Sequence, residues 1–474
     1  MGVDKYIKYV IKYNCENKRG GIKLDINKIL NMNIFKVWAK FVLASIVGVV
    51  FNTIYVIVDG MFVGQGVGEV GLASLNIAWP AVTVVIGTGL MIGIGTSSIM
   101  SIHIGKEEKE EAEQCLSTAV KLILILGSII MIIGLIFKDP ILRMLGATSD
   151  TIDYAKQYFT IIYIITIPYI FSTALNPIVR ADGRPDLSMM MIGIGAIINI
   201  ILDYILVIKL GCGVIGAALA TSISIFISMT VSLYYFIRGS SKIKIKKIYS
   251  KVDKKIVKEI LKIGFASFAI QFSYGIIIFI QNKAVYEYAG TIGVAIYCVA
   301  TYVNCLLVNT CTGIAQGVQP LIGYHYGAKK MDRMKQLIKI TIFVCVIGGI
   351  LFLIGLYFYG REVITTFGVE QENLEYAYKQ ILIYCMASPI IGIVFTMGGF
   401  YQALGKNIYA NILAIGRGFV FQFIFTITLP RFIGSTGVFL SLPLADVVTF
   451  GILIFMIFKE KSKEHKVGDL IETA

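Results

Sequence analysis

Charge is scarce in this 474-residue chain: Asp, Glu, Lys and Arg make up 15% of it, against 57% hydrophobic residues, and the mean hydropathy is +0.79. That balance excludes an ordinary soluble domain. Cysteine is also sparse. The eight are dispersed, with no CxxC and no Cys/His grouping of metal-ligand spacing, which removes the usual argument for a metal centre. Most lie in apolar stretches, where a thiol behaves as a small hydrophobe. Residues 1–35 lack a continuous apolar run followed by a small-residue cleavage site, so a cleaved signal peptide is not expected. A selectivity filter and a ring of like charges are likewise missing, which argues against a passive channel.

What the chain has instead is long apolar runs. A membrane crossing needs roughly 20 apolar residues. Charge-poor stretches at 41–63, 75–102, 115–137, 157–179, 187–208, 213–237, 262–286, 294–323, 337–359, 377–401, 409–430 and 435–458 predict twelve spans. The expected fold class is therefore an all-α integral membrane protein. The net charge of +14 is not spread evenly: 33 of the 43 Lys and Arg fall at the two termini and in the loops at 106–109, 180–184, 238–262, 329–339 and Lys406. The tendency of basic loops to stay inside places those regions, and both termini, in the cytoplasm. This topogenic role, with contact to the lipid surface, accounts for the charge without a nucleic-acid partner.

The second half of the chain repeats the first. A shift of 222 positions brings Lys40 onto Lys262, Gly71 onto Gly293, Gly95 onto Gly317, His103 onto His325, Gly105 onto Gly327 and Tyr154 onto Tyr376. Six spans per copy is an even number, so the copies enter the membrane in the same sense and are related by an axis along its normal. The expected organisation is a cytoplasmic extension (1–35), a first lobe (36–238), a basic linker (239–258), a second lobe (259–458) and a cytoplasmic tail (459–474). Two pseudo-symmetric six-helix lobes would enclose a central cleft. The Gly-rich runs at 87–95 and 192–200 read as close-packing faces rather than ligand loops.

Two acids interrupt the apolar runs of the first copy. An acid near mid-bilayer costs about 2.5–3.5 kcal/mol even on a lenient insertion scale, so it faces a cavity or a partner. Asp59 stands one helical turn after Tyr55, and Asp203 one turn after Asn199, each pair on one face. Two such acids suit a proton or cation site. The repeat puts Gln281 at the place of Asp59, and Ile424 or Phe425 at that of Asp203. The second copy is thus expected to lack acids of this kind, and the first to be specialised for cations.

The segments VDGMFVGQ (58–65), NPIVRADGRP (176–185), NIILDYILV (199–207) and GVIGAALAT (213–221), echoed by QALGKN (402–407) and GSTGVFLS (434–441), resemble the multidrug and toxic compound extrusion (MATE) family of secondary transporters, within the multidrug/oligosaccharidyl-lipid/polysaccharide exporter superfamily. The likeness runs from about residue 36 to 458. It implies a multi-pass protein of the cell membrane, acting as a monomer without a cofactor, that exports lipophilic organic cations in exchange for protons or sodium ions. By matched position it implies a coupling site of Asp59, Tyr55, Asn199, Asp203, Tyr158, Asn176 and Thr221. The oxygens of Asp59, Asn176, Asn199, Asp203 and Thr221 would also suit sodium. The proline that bends the first helix in some members is absent, Ala44, Ser45 and Gly48 standing nearby, so a proline-dependent bend is not carried over. Second-lobe carboxylates found in other members are not seen either. Gln271, Gln281, Asn282, Tyr297 and Asn304 occupy comparable membrane positions and are candidates for the substrate cleft.

In the mechanism these residues suggest, low dielectric and a like-charged neighbour both favour the neutral acid. Loading a proton then removes the counter-charge of a bound cation and favours its release. Aromatic faces would help hold such cargo. Other features read more simply: Met189–Met191, His103 and His325 as structural, and RADGRPD (180–186) as a tight charged turn. Two alternatives are kept. A lipid-linked saccharide flippase would need cationic residues in the cleft, for which Lys283 and Arg417 are the second-lobe candidates. An intramembrane prenyl-transfer enzyme would need magnesium at an acidic cluster, for which Asp182 and Asp186 supply one D-x-x-x-D but no second cluster.

Overall fold

The computed structural model describes residues 26–241, 243–245, 253–367, 369 and 371–472. The expected terminal extension is therefore described only from Ile26, and residues 242 and 246–252 of the basic linker lie outside the described residues. Apolar runs bounded by charged or glycine-containing turns become helices throughout, because a segment in lipid must satisfy its own backbone hydrogen bonds. Among the described residues eleven helices are long and apolar enough to cross a membrane: Ile34–Val67, Ala73–Gly105, Lys109–Ile136, Pro185–Lys209, Gly213–Ile237, Lys254–Gly290, Ile292–Gly327, Met331–Thr366, Gln371–Ala403, Asn407–Ile433 and Ser435–Glu460. The bent pair Ile152–Ile164 and Thr166–Ala181, turned by 61°, makes a twelfth. Counted in chain order, with the bent pair fourth, these are the twelve spans of the two lobes.

The duplication is written into the backbone as well as the residues. Gly68 (φ 81°, ψ −166°) separates the first two spans, and Gly290 (φ 60°, ψ −157°) separates the seventh and eighth, 222 positions later. Both sit in a region open essentially to glycine alone, so each lets two long helices fold back with almost no loop. Glu107 and Lys329, the described non-glycine residues with positive φ, are repeat partners in the same way.

The lobes meet along the face where the basic loops gather. There the second and eighth spans cross at the pseudo-twofold axis: a Cβ on Gly105 would lie 2.3 Å from the Tyr324 carbonyl oxygen, and one on Gly327 2.2 Å from that of Ile102, the repeat partner of Tyr324. Further along, Gly95 backs onto Ile260 and Gly264 onto Met91. Hydrogen bonds cross the same seam from Tyr324 Oη to the Ala181 carbonyl (2.5 Å), Gln319 Nε2 to Ser98 Oγ (3.0 Å) and Arg180 Nη1 to Gln316 Oε1 (3.3 Å). A short helix, Ile26–Asn31, adds to it: Ile29 and Leu30 pack with Trp38, Phe41, Leu321 and Leu337 in one apolar cluster, while Lys330 Nζ donates to the Leu30 carbonyl and to Asn31 Oδ1. Lysine at a helix C-terminus satisfies carbonyls the helix cannot.

Away from the basic face the contact thins. Asn309 Nδ2 still donates to Thr53 Oγ1 (2.8 Å), but a Cβ on Gly60 or Gly64 would meet nothing within 4 Å. The cleft is thus sealed at the basic side and parted at the other.

Gly264→Ala would set a methyl carbon 1.8 Å from the Met91 carbonyl oxygen. Overpacking of this kind costs about 1–3 kcal/mol, so the variant is expected to insert normally but to favour the unsealed seam by about 5- to 150-fold. Faster modification of a cysteine placed at Ser98, by a water-soluble maleimide in a background without native cysteines, would report it. Unchanged labelling would mean that the glycine contact does not control the seam.

Candidate functional site

Asp59 lies in the half of the first span nearer the parted side, and Asp203 closes the α-helical part of the fifth, directly before a six-residue π-helical stretch, Tyr204–Lys209. Such wide turns change helical register locally and recur at functional sites. The two carboxyl groups face each other at interaction distance. Asp203 and Asn199 are both 0% exposed, and Asn199 Nδ2 donates to Thr221 Oγ1 of the sixth span (3.3 Å). Tyr55, Tyr158 and Tyr169 stand close to one another and to Asp59.

The site's chemistry follows from what these groups lack. Asp59 Oδ1, Asp203 Oδ1 and Oδ2 and Asn199 Oδ1 are buried without a hydrogen-bond partner. All four are acceptors, so what fits among them is a donor or a cation. Two ionised carboxylates about 4 Å apart repel by about 4 kcal/mol at an effective dielectric near 20. A single proton shared between the acids, or a hard cation held by their oxygens, removes that repulsion and satisfies the orphaned acceptors together. No group of three or more His, Cys, Asp or Glu that could hold a metal occurs among the described residues.

Six of the seven first-lobe residues singled out by the sequence converge here. The seventh, Asn176, does not. Its amide donates to the Ser188 carbonyl (2.9 Å), and its oxygen accepts from Ser188 Oγ (3.0 Å) and Arg180 Nη2 (3.0 Å). Ser188 stands roughly 16 Å along the fifth span from Asn199, so Asn176 braces the basic end of the lobe and is not among the residues around the acids. Tyr169 was missed; its spacing of about three turns from Tyr158 was the available signal.

The second lobe shows what the repeat becomes without acids. Gln281, at the place of Asp59, donates from Nε2 to Ser441 Oγ (3.0 Å) and to Thr426 Oγ1 (3.5 Å), and accepts from Tyr297 Oη. Tyr297 is in turn packed edge-on against Tyr384 and Phe439. This cluster is satisfied and sealed, so Gln281 and Tyr297 hold the lobe together and do not line the cleft as expected. Gln271 does face the seam, opposite Gly87; Asn282 is half-buried and Asn304 buried.

One expectation fails outright. The second copy does carry an intramembrane acid: Asp446 of the twelfth span, buried and bonded to Arg417 Nε of the eleventh. The repeat hides it, because its first-copy partner is Ser224 or Ile225 and not one of the two acids. Asp182 and Asp186, for their part, are each taken up by protein partners. Asp182 accepts from Tyr235 Oη (2.5 Å) and Ser241 Oγ (2.6 Å), and Asp186 holds Arg184 through both carboxylate oxygens. His103 bonds Glu108 (2.7 Å) and His325 the Leu321 carbonyl (2.8 Å), both structural contacts.

Known proteins resemble the chain over most of its length. The multidrug export protein MepA of Staphylococcus haemolyticus (strain JCSC1435) is 29% identical over 439 residues, covering 91% of this chain and 95% of the relative. MepA of Staphylococcus aureus (strain MSSA476) is 28% identical over 415 residues, covering 87% and 91%. Among solved structures, a MATE crystal structure in complex with MaL6 has a TM-score of 0.86 at 23% identity, over 93% of this chain and 98% of the other. An outward-facing multidrug resistance MATE family transporter gives the same values. The MatE family model matches residues 44–205 and 264–428, one segment in each lobe. With its two six-helix lobes and its duplicated pattern, the chain belongs to the MatE family, the multidrug and toxic compound extrusion transporters.

Proposed function

We propose that this protein exports lipophilic organic cations across the cell membrane, as a monomer with both termini in the cytoplasm, using the Asp59–Asp203 pair to couple export to proton entry. The observation that carries the reading is the pair itself: two facing carboxyls with orphaned oxygens, in one lobe of a cleft sealed at one end. Relatives named as multidrug export proteins support the class of cargo.

The cycle rests on competition for one negative site. With the pair unprotonated, Asp59 offers a counter-charge to a cation in the cleft, and the tyrosine faces of Tyr55, Tyr158 and Tyr169 add quadrupolar attraction. A proton taken up from the parted side bridges Asp59 and Asp203, takes up one of the pair's two negative charges and so weakens the hold on the cargo, which is released. The π-helical stretch beside Asp203 gives the fifth span a place to change register as the pair changes state. Return toward the basic side carries the proton inward, and each elementary charge moved gains about 2.3 kcal/mol per 100 mV of membrane potential. Sodium is the second reading, favoured by Asn199 Oδ1, an orphaned oxygen beside the acids suited to a hard cation.

In proteoliposomes, export of a fluorescent lipophilic cation under an imposed proton gradient is expected to fall at least about tenfold in Asp59→Asn and in Asp203→Asn, each of which removes a charge the coupling step needs. Wild-type rates in both variants would remove the site. Transport driven by a sodium gradient alone would keep the site and replace the ion.

The second-lobe cluster should behave differently. Tyr297→Phe leaves the Gln281 carbonyl oxygen without its donor, at a cost of about 1–3 kcal/mol. Thermal unfolding of the purified variant should shift downward while the ion dependence of transport stays as in the wild type. A changed coupling ion would contradict a purely structural cluster.

A further inference from the structure

The Arg417–Asp446 pair is a buried charge pair within the described membrane spans that the proposed cycle leaves unused, and its position is not inherited packing. In the first lobe the place equivalent to Arg417 is Gly195 or, by the one-residue slip of the repeat, Ala196, neither with room for a long side chain: a Cβ on Gly195 would lie 2.6 Å from Ser228 Oγ. The second lobe opens the same place and fills it with a guanidinium. Arg417 stands on a π-helical stretch, Gly416–Phe421, flanked by Gly416 and Gly418. Its Cζ lies 4.9 Å from the centroid of the Phe395 ring of the tenth span, and Cys311 of the eighth is within its electrostatic reach. Residues of three other spans, the eighth, tenth and twelfth, therefore stand around it, and the group points into the lobe and not toward lipid.

The hydrogen bonding is asymmetric. Asp446, with its side chain 3% exposed, engages Arg417 through Nε alone, while the arginine side chain keeps 14% exposure. Among the described residues neither Nη1 nor Nη2 has a hydrogen-bond partner, and neither is sealed from access. A guanidinium held from its Nε side and stacked on an aromatic ring presents its two terminal nitrogens as a planar fork, the geometry that receives a carboxylate in bidentate fashion. The buried Asp446 compensates the charge, so the fork is maintained in the membrane without a naked cation.

We propose that Arg417 is a specificity-determining residue: its terminal nitrogens take the carboxylate of zwitterionic cargo whose ammonium end is met by the first-lobe acids, with Asp446 as the residue that positions it. This rests on the exporter reading for the identity of the cargo, but the recognition itself is a property of the second lobe. A lipophilic cation without a carboxylate bypasses the fork, and a zwitterion uses both lobes.

The test measures binding of two fluorescent dyes to the full-length protein by polarisation: a rhodamine zwitterion and its methyl ester, which differ only in whether the carboxylate is free. The double variant Arg417→Gln/Asp446→Asn removes the pair without leaving a buried charge. It is expected to weaken the zwitterion about tenfold, the loss of a charge-assisted pair, and the ester by less than about twofold. Asp446→Asn alone should keep the preference for the zwitterion, since the fork remains. Equal weakening of both dyes would show a pair that only holds the lobe together and would overturn the inference, as would no change in either, or wild-type protein that fails to bind the zwitterion. Selective binding with no transport of either dye in proteoliposomes would remove the exporter reading and leave this one standing. Transport that loses both dyes alike in the double variant would do the reverse.

Discussion

Two carboxyl groups held face to face where little water reaches them impose the constraint on which the rest depends. Side by side and both ionised, Asp59 and Asp203 would repel each other with nothing to donate to their orphaned oxygens. A positive charge between them relieves that repulsion, and in the proposed cycle this makes the pair the site of exchange. Everything nearby keeps the choice open: Asn199 is fixed by Thr221, yet leaves its own oxygen unbound. The tyrosines around Asp59 supply aromatic faces and hydroxyls, and none supplies a fixed charge.

In the proposed cycle the sealed basic end gives that exchange a direction. Glycines at the crossing of the second and eighth spans bring the two lobes into backbone contact, and the pseudo-twofold axis runs through that contact. Close-packed interfaces of this sort are bistable and not gradually deformable, which suits a cleft open to one side at a time. The short helix at Ile26–Asn31, tied to the second lobe by Lys330, extends the seal beyond the spans themselves.

Much of this was legible in the residues. Long apolar runs specify spanning helices because lipid leaves the backbone no other partner, and the repeat specified the pairing of lobes; the matching turns at Gly68 and Gly290 obey the same shift but emerged only from the backbone. Asp59 and Asp203 stood out because acids are costly in lipid. Asn176 was misplaced because a matched position says which helix a residue is on but not how far along its neighbour it falls; the antiparallel fourth and fifth spans put it beside Ser188, at the wrong depth. Gln281 and Tyr297 looked like cleft residues because their polarity is visible in sequence while mutual satisfaction is not. Asp446 was overlooked for the opposite reason: attention to positions equivalent to the first-lobe acids hid an acid elsewhere in the second lobe. The 61° bend of the fourth span left no signature in the hydropathy of its run.

The most direct measurement of the central claim counts positive charge leaving the carboxyl pair when cargo arrives. Purified protein in weakly buffered, sodium-free detergent solution is mixed with a quaternary phosphonium cation, and released protons are followed with a pH dye. The account predicts proton release on binding by the wild type, and weakened binding without release by Asp59→Asn/Asp203→Asn. Binding of equal strength in both proteins, with no proton released by either and no sodium released when the experiment is repeated in sodium-loaded medium, would contradict it.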